Sequence, residues 1–147
     1  MTEKDIKNDR TSVLLSRLFK ARDFEGFAEE NGLANKTPAF HSYISELCRQ
    51  MDQIPEHIIR QSMIERTYGH QLFNGTRNPS RDKVIQLAFG FGLDVEATQK
   101  LLVIAQKSPL YPKIMRDAAV LYSINHKKNI LETQDLLQDL GLSLLGV

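Results

Sequence analysis

The stretch "IPEHIIRQSMIERTYGHQLFNGTRNPSRDKVIQLAFGFGL", residues 54 to 93, decides how this chain is read. Pro55 opens a helix with Ile58 and Ile59 inward, and the chain turns near Ser62, Met63 and Ile64 into a second short helix, about 65–74. At 100° per residue that second helix divides cleanly. Arg66, Thr67, His70, Gln71 and Asn74 share one face, while Tyr68, Gly69, Leu72 and Phe73 share the other. The outer face lacks the Glu/Lys mixture that merely dissolves a helix. It carries groups that donate and accept at fixed angles, as base edges require: Arg for guanine, Gln or Asn for adenine, Thr for a phosphate or a thymine methyl. Beyond Asn74-Gly75 the chain turns basic, with Arg77, Arg81 and Lys83.

Outward from this stretch the signals are helical throughout. Thr37 and Pro38 read as the N-cap and first residue of a helix lined by Phe40, Ile44, Leu47 and Met51. Ser80, or Asn78-Pro79, starts a helix carrying Val84, Leu87, Ala88 and Phe91 that Gly92 closes, and Asp94 caps the next, which holds Leu101 and Leu102. Upstream, Val13, Leu14, Leu18 and Phe19, then Phe24, Phe27 and Ala28, mark two short helices, the second ending at Asn31-Gly32. Downstream, a helix from about Pro112 to His126 precedes another whose Asn129 and Glu132 have capping-box spacing and whose end at Gly141-Leu142 fits a Schellman turn. No strand-like alternation of useful length occurs, so the fold class is all-α. The expected organisation is a charged tail with short helices over 1–36, a five-helix domain over 37–107 and a helical hairpin over 108–147. "TQKLL" at 98–102 recurs as "TQDLL" at 133–137. In helix-rich sequence such a match reads as coincidence.

Charge and chemistry narrow the function. Nineteen Lys and Arg against 18 Asp and Glu give no global field, so electrostatic recognition must be local. Between Arg60 and Lys83, Arg60, Arg66, Arg77, Arg81 and Lys83 oppose only Glu65 and Asp82. The single cysteine, Cys48, has no disulfide mate and no acid–base partner at hand. His41, His57, His70 and His126 form no metal-binding spacing and no glycine loop cradles a phosphate, so no metal, cofactor or enzyme activity is expected. Neither a signal segment nor an apolar run of membrane length is found, which points to a cytoplasmic protein.

The quoted stretch resembles the helix-turn-helix of the Cro/CI-type (XRE) repressors, with "LFNG" ending the recognition helix as in phage lambda repressor-like domains and "TRNPSRDKVIQLA" resembling the loop and helix that follow. The likeness extends over roughly 38–106. It implies a sequence-specific DNA-binding transcriptional regulator that places the 65–74 helix in the major groove. Residue by residue, Arg66, Thr67, His70, Gln71 and Asn74 would face bases, and Arg77, Arg81 and Lys83 would lie along phosphates. The partners implied are double-stranded DNA and a second copy of the chain in a two-fold dimer, with a protein partner conceivable at the N- or C-terminal helices. Four positions depart from the family pattern. Ile59 replaces a small residue, Met63 a glycine, Gly69 a β-branched residue, and Ile54-Pro55 the polar residue that helps fix a phosphate. Ile59 and Gly69 face each other in the motif, so they read as a compensated exchange of sizes. The alternative function is a helix-turn-helix fold serving as a protein–protein adaptor, with Arg66, Tyr68 and Phe73 turned to a partner.

Overall fold

Among the residues described in the computed structural model, 3–30 and 37–146, every regular element is a helix. None is long and apolar enough to cross a membrane. The chain divides into two compact units, with the boundary between Thr37 and Pro38. The first holds α1 (Glu3–Lys20) and α2 (Phe24–Glu30). Asp23 starts α2, its carboxylate accepting from the Glu25 and Gly26 N–H groups, and Phe27 is the buried anchor. Asn31-Gly32, expected to end this helix, lies outside the described residues.

The second unit holds α3 (Phe40–Gln50), α4 (Pro55–Gln61), α5 (Arg66–Asn74), α6 (Arg81–Phe91), α7 (Val95–Ile104), α8 (Met115–Asn125) and α9 (Ile130–Asp139). One buried cluster runs through it, from Ile44 on α3 and Ile58 on α4 to Leu87 on α6, Leu102 on α7, Val120 on α8 and Leu137 on α9. Most boundaries follow local chemistry. Pro55 sits in the first turn of α4, Ser80 caps α6 through Lys83 N, Asp94 caps α7 through Ala97 N, and Asn129 with Glu132 forms a reciprocal capping box on α9. The start of α3 corrects the sequence reading. Its N-cap is Ala39, which offers no side-chain oxygen, and the helix begins at Phe40 instead of Pro38. Phe40 is the residue that meets the core, so packing sets this boundary where a cap was expected.

Two glycines let helices approach closely. A Cβ on Gly69 of α5 would lie 2.4 Å from Ile59 Cγ2, and one on Gly90 of α6 would lie 1.9 Å from Ser62 Oγ and 2.8 Å from the Ile58 carbonyl of α4. The exchange of sizes between Ile59 and Gly69 is therefore physical contact. Met63, between α4 and α5, takes φ 55° in the left-handed region, where its own N–H bonds Arg60 O and that of Ile64 bonds Ile59 O. Gln86, buried on α6, donates to the Ser62 and Met63 carbonyls and pins this turn.

The two "TQ-LL" segments are not coincidence. Thr98 Oγ1 donates to Asp94 O and Thr133 Oγ1 to Asn129 O. Gln99 clamps both the N–H and the carbonyl of Leu110, and Gln134 does the same to Leu145. Gly92 and Lys127, like Gln106 and Gly141, are matched left-handed residues at helix ends. Residues 77–111 and 112–146 are two copies of one helix-hairpin unit, α6–α7 and α8–α9. The copies share positions that close turns and clamp the chain but not an overall sequence, which is why short matches understated the repeat.

Candidate functional site

Helix α5 is oriented by its apolar side. Gly69, Leu72 and Phe73 are buried, Phe73 lies against the Phe91 ring at 6.4 Å, and Tyr68 is half-buried. Arg66, Thr67 and Asn74 are consequently exposed, with His70 and Gln71 half-exposed between them. The helix starts on Glu65, whose carboxylate accepts from Thr67 N at 2.9 Å and Tyr68 N at 2.8 Å. Those two backbone bonds hold the Glu65 carboxyl below its ordinary range, so a fixed negative charge stands at the positive end of the helix. Gly75 ends the helix at φ 84°.

Each expected contact residue has a definite place. Arg66 donates from Nε to Glu56 on α4 at 2.9 Å, an exposed pair that water weakens. Arg77 donates from Nε to Gln71 Oε1 at 2.8 Å, and its guanidinium lies 4.5 Å from the centre of the Tyr68 ring. Lys83 Nζ stands 5.4 Å from the same ring, so Tyr68 gathers two cations at one end of α5. Asn74 is engaged in its own turn, its Oδ1 accepting from the N–H and hydroxyl of Thr76. Thr67 and His70 point outward beside them.

Arg81 does not belong with this group. Its Nε donates to Ser108 O, Nη2 to Pro109 O, and Nη1 and Nη2 to the carboxylate of Asp117 on α8. All three guanidinium nitrogens are engaged inside the fold, so the expected phosphate role gives way to a structural one. A basic residue read as part of a surface run was recruited by an aspartate 36 residues away.

The sequence reading also missed residues that shape the site. Glu56 neutralises Arg66, and Tyr68 is the platform for Arg77 and Lys83 as well as an apolar anchor. Beside α5 runs a shallow groove of about 470 Å³ with Ile54, Pro55, His70, Phe73 and Asn74 in its walls. Among the described residues no group of three His, Cys, Asp or Glu is placed to hold a metal ion. Cys48 is buried, and burial pushes its thiol up, away from the reactive thiolate. Comparison with family models, curated proteins and solved structures gave no match for this chain, so the site is read from its own geometry.

Proposed function

We propose that the chain is a sequence-specific DNA-binding transcriptional regulator that lays α5 in the major groove, on a lambda-repressor-like arrangement of α3 to α7. The observation that carries this reading is the division of α5: Gly69, Leu72 and Phe73 inward, Arg66, Thr67, His70 and Gln71 outward, with the Arg77 and Lys83 cations gathered over Tyr68 in its first turn. A helix so built offers hydrogen-bonding side chains to base edges and cations to the flanking backbone. Arg77 and Gln71 already bond each other, which orders both before DNA arrives and limits the entropy lost on binding.

The second reading, a helix-turn-helix fold used as a protein adaptor, draws on the acidic groups. Glu56 lies in the first turn of α4 and Glu65 caps α5, so both helix starts, where a phosphate would find positive dipoles, carry carboxylates. Ile54 and Met63 are 65% and 53% exposed at the two ends of α4. Selection of purified protein against random double-stranded DNA at moderate salt separates the two. Recovery of one enriched sequence motif is the expected result. A pool that stays random, together with equal DNA binding by Arg66→Ala, Gln71→Ala and the parent, would transfer the site to a protein partner.

A further inference from the structure

The two copies α6–α7 and α8–α9 hold each other reciprocally. Arg81 of the first reaches Asp117 of the second at 3.0 and 2.9 Å, and Arg116 of the second reaches Asp82 of the first at 2.8 and 2.9 Å. Each arginine also grips the end of its own copy. Arg81 donates to Ser108 O and Pro109 O, and Arg116 to the equivalent Ser143 O and Leu144 O. Each aspartate accepts one further N–H, Asp117 from Tyr111 and Asp82 from Gly146, both at 3.0 Å. Contacts in which i meets j and j meets i define an isologous interface, the kind that relates two subunits by a two-fold axis. Here both halves lie on one chain.

Such an interface is satisfied equally by a second copy from the same chain or from another. The two forms differ only in the connection. It is the turn Tyr111–Ile114, closed by one backbone bond from Ile114 N to Tyr111 O at 3.0 Å and stiffened by Pro112. At this turn Tyr111, Ile114 and Met115 are 51%, 52% and 65% exposed, large apolar side chains that the closed chain leaves in water. Burial of these side chains against a second chain would offset the loss of the intramolecular connection.

We propose that two copies of this chain dimerise by exchanging α8–α9, so that Arg81 and Asp82 of one chain hold Asp117 and Arg116 of the other. The exchange does not rest on the DNA reading, since a two-fold operator and a bivalent adaptor are served alike, and its test contains no DNA.

The test uses two full-length variants. Arg81→Gln with Asp82→Asn removes every ion pair between copies in its own chain, and Arg116→Gln with Asp117→Asn does the same from the other side. Only a mixed, exchanged dimer rebuilds one intact grip, from the unaltered first copy of one chain and the unaltered second copy of the other. The variants are co-expressed and also mixed after partial unfolding, one of them labelled with heavy nitrogen, and native mass spectrometry counts the dimers. At equal amounts of the two variants, mixed dimers should outnumber the two unmixed dimers together by about tenfold or more, where binomial mixing gives parity, the effect of restoring a half-buried charge network. Their melting transition should rise toward that of the parent, and the parent should be dimeric by light scattering. A monomeric parent, mixed dimers at binomial proportions, or a co-expressed pair that yields no folded mixed dimer would each overturn the exchange.

Discussion

Gly69 and Ile59 show how one pair of residues fixes the angle between two helices. The missing Cβ on α5 is the space that the Ile59 side chain fills, so enlarging one member without shrinking the other strains the core. Gly69→Val is expected to destabilise by roughly 1 to 3 kcal/mol, and Ile59→Ala on top of it to return part of that loss; urea denaturation around a double-mutant cycle measures the coupling. Gly90 is a harsher case. Its added Cβ would meet backbone, the Ile58 carbonyl, as well as Ser62 Oγ. Gly90→Ala should therefore cost at least as much, with Ser62→Ala restoring only a fraction, because the carbonyl remains and the α4 backbone would have to move. Full recovery in that double variant would show that the two helices are not in rigid contact.

At the scale of an element, α5 concentrates the functional reading, and its residues should fail in different ways. Arg66→Ala or Gln71→Ala should cost about 1 to 3 kcal/mol on the preferred DNA and relax discrimination at particular base pairs. Arg77→Ala or Lys83→Ala should weaken all sequences alike and reduce the salt dependence by about one unit of slope per lost phosphate contact. Binding curves across a salt series, on selected and scrambled DNA, distinguish these patterns. Glu65 works in two directions. Its carboxylate satisfies two N–H groups at the start of α5 yet repels a phosphate brought to the same end. Glu65→Gln should fray the helix start, seen as lower helicity, while raising affinity for any DNA; a loss of affinity in a fully folded variant would argue that Glu65 itself makes a contact.

For the second unit as a whole, stability depends on two carboxylates set between the copies. The Arg116 guanidinium beside Asp82 holds its carboxyl below the usual range despite partial burial. Burial pushes the Asp117 carboxyl up, but the bonds from Arg81 and the Tyr111 N–H more than offset it, and the net direction is again downward. A carboxyl whose pKa is lower folded than unfolded stabilises the fold above the unfolded value, and that stability drains away as pH falls through the folded one. Thermal stability should thus hold near neutrality and decline below about pH 4, where unfolded aspartates begin to protonate. The doubly neutral variant Asp82→Asn, Asp117→Asn should start lower and show a shallower acid decline in melts followed by circular dichroism. An unchanged acid limb would mean that other carboxylates control it.

The sequence by itself determined what depends on neighbours within a few residues. Apolar spacing along α3 to α9 revealed an all-helical chain, Ser80, Asp94 and Asn129 announced their helices through caps, and the inward and outward faces of α5 followed from the turn of a helix. The contact of Ile59 with Gly69 was legible too, through the resemblance that aligned α4 with α5. Only the tertiary structure decided which charges are free. Arg81, Arg66 and Lys83 look alike in a string of residues, yet one is locked to Asp117, one is paired with Glu56, and one lies over Tyr68. A long side chain takes its partner from whatever the fold brings within about 3 Å, and that distance carries no trace in local periodicity. The duplication showed in the sequence only as the recurrence of "TQKLL" as "TQDLL", too short to tell from chance. Its two copies are alike where they hold each other and themselves, at Arg-Asp and Thr-Gln, and at the Leu-Leu pairs that pack the core, and those scattered positions acquire a common meaning only once α6–α7 lies against α8–α9.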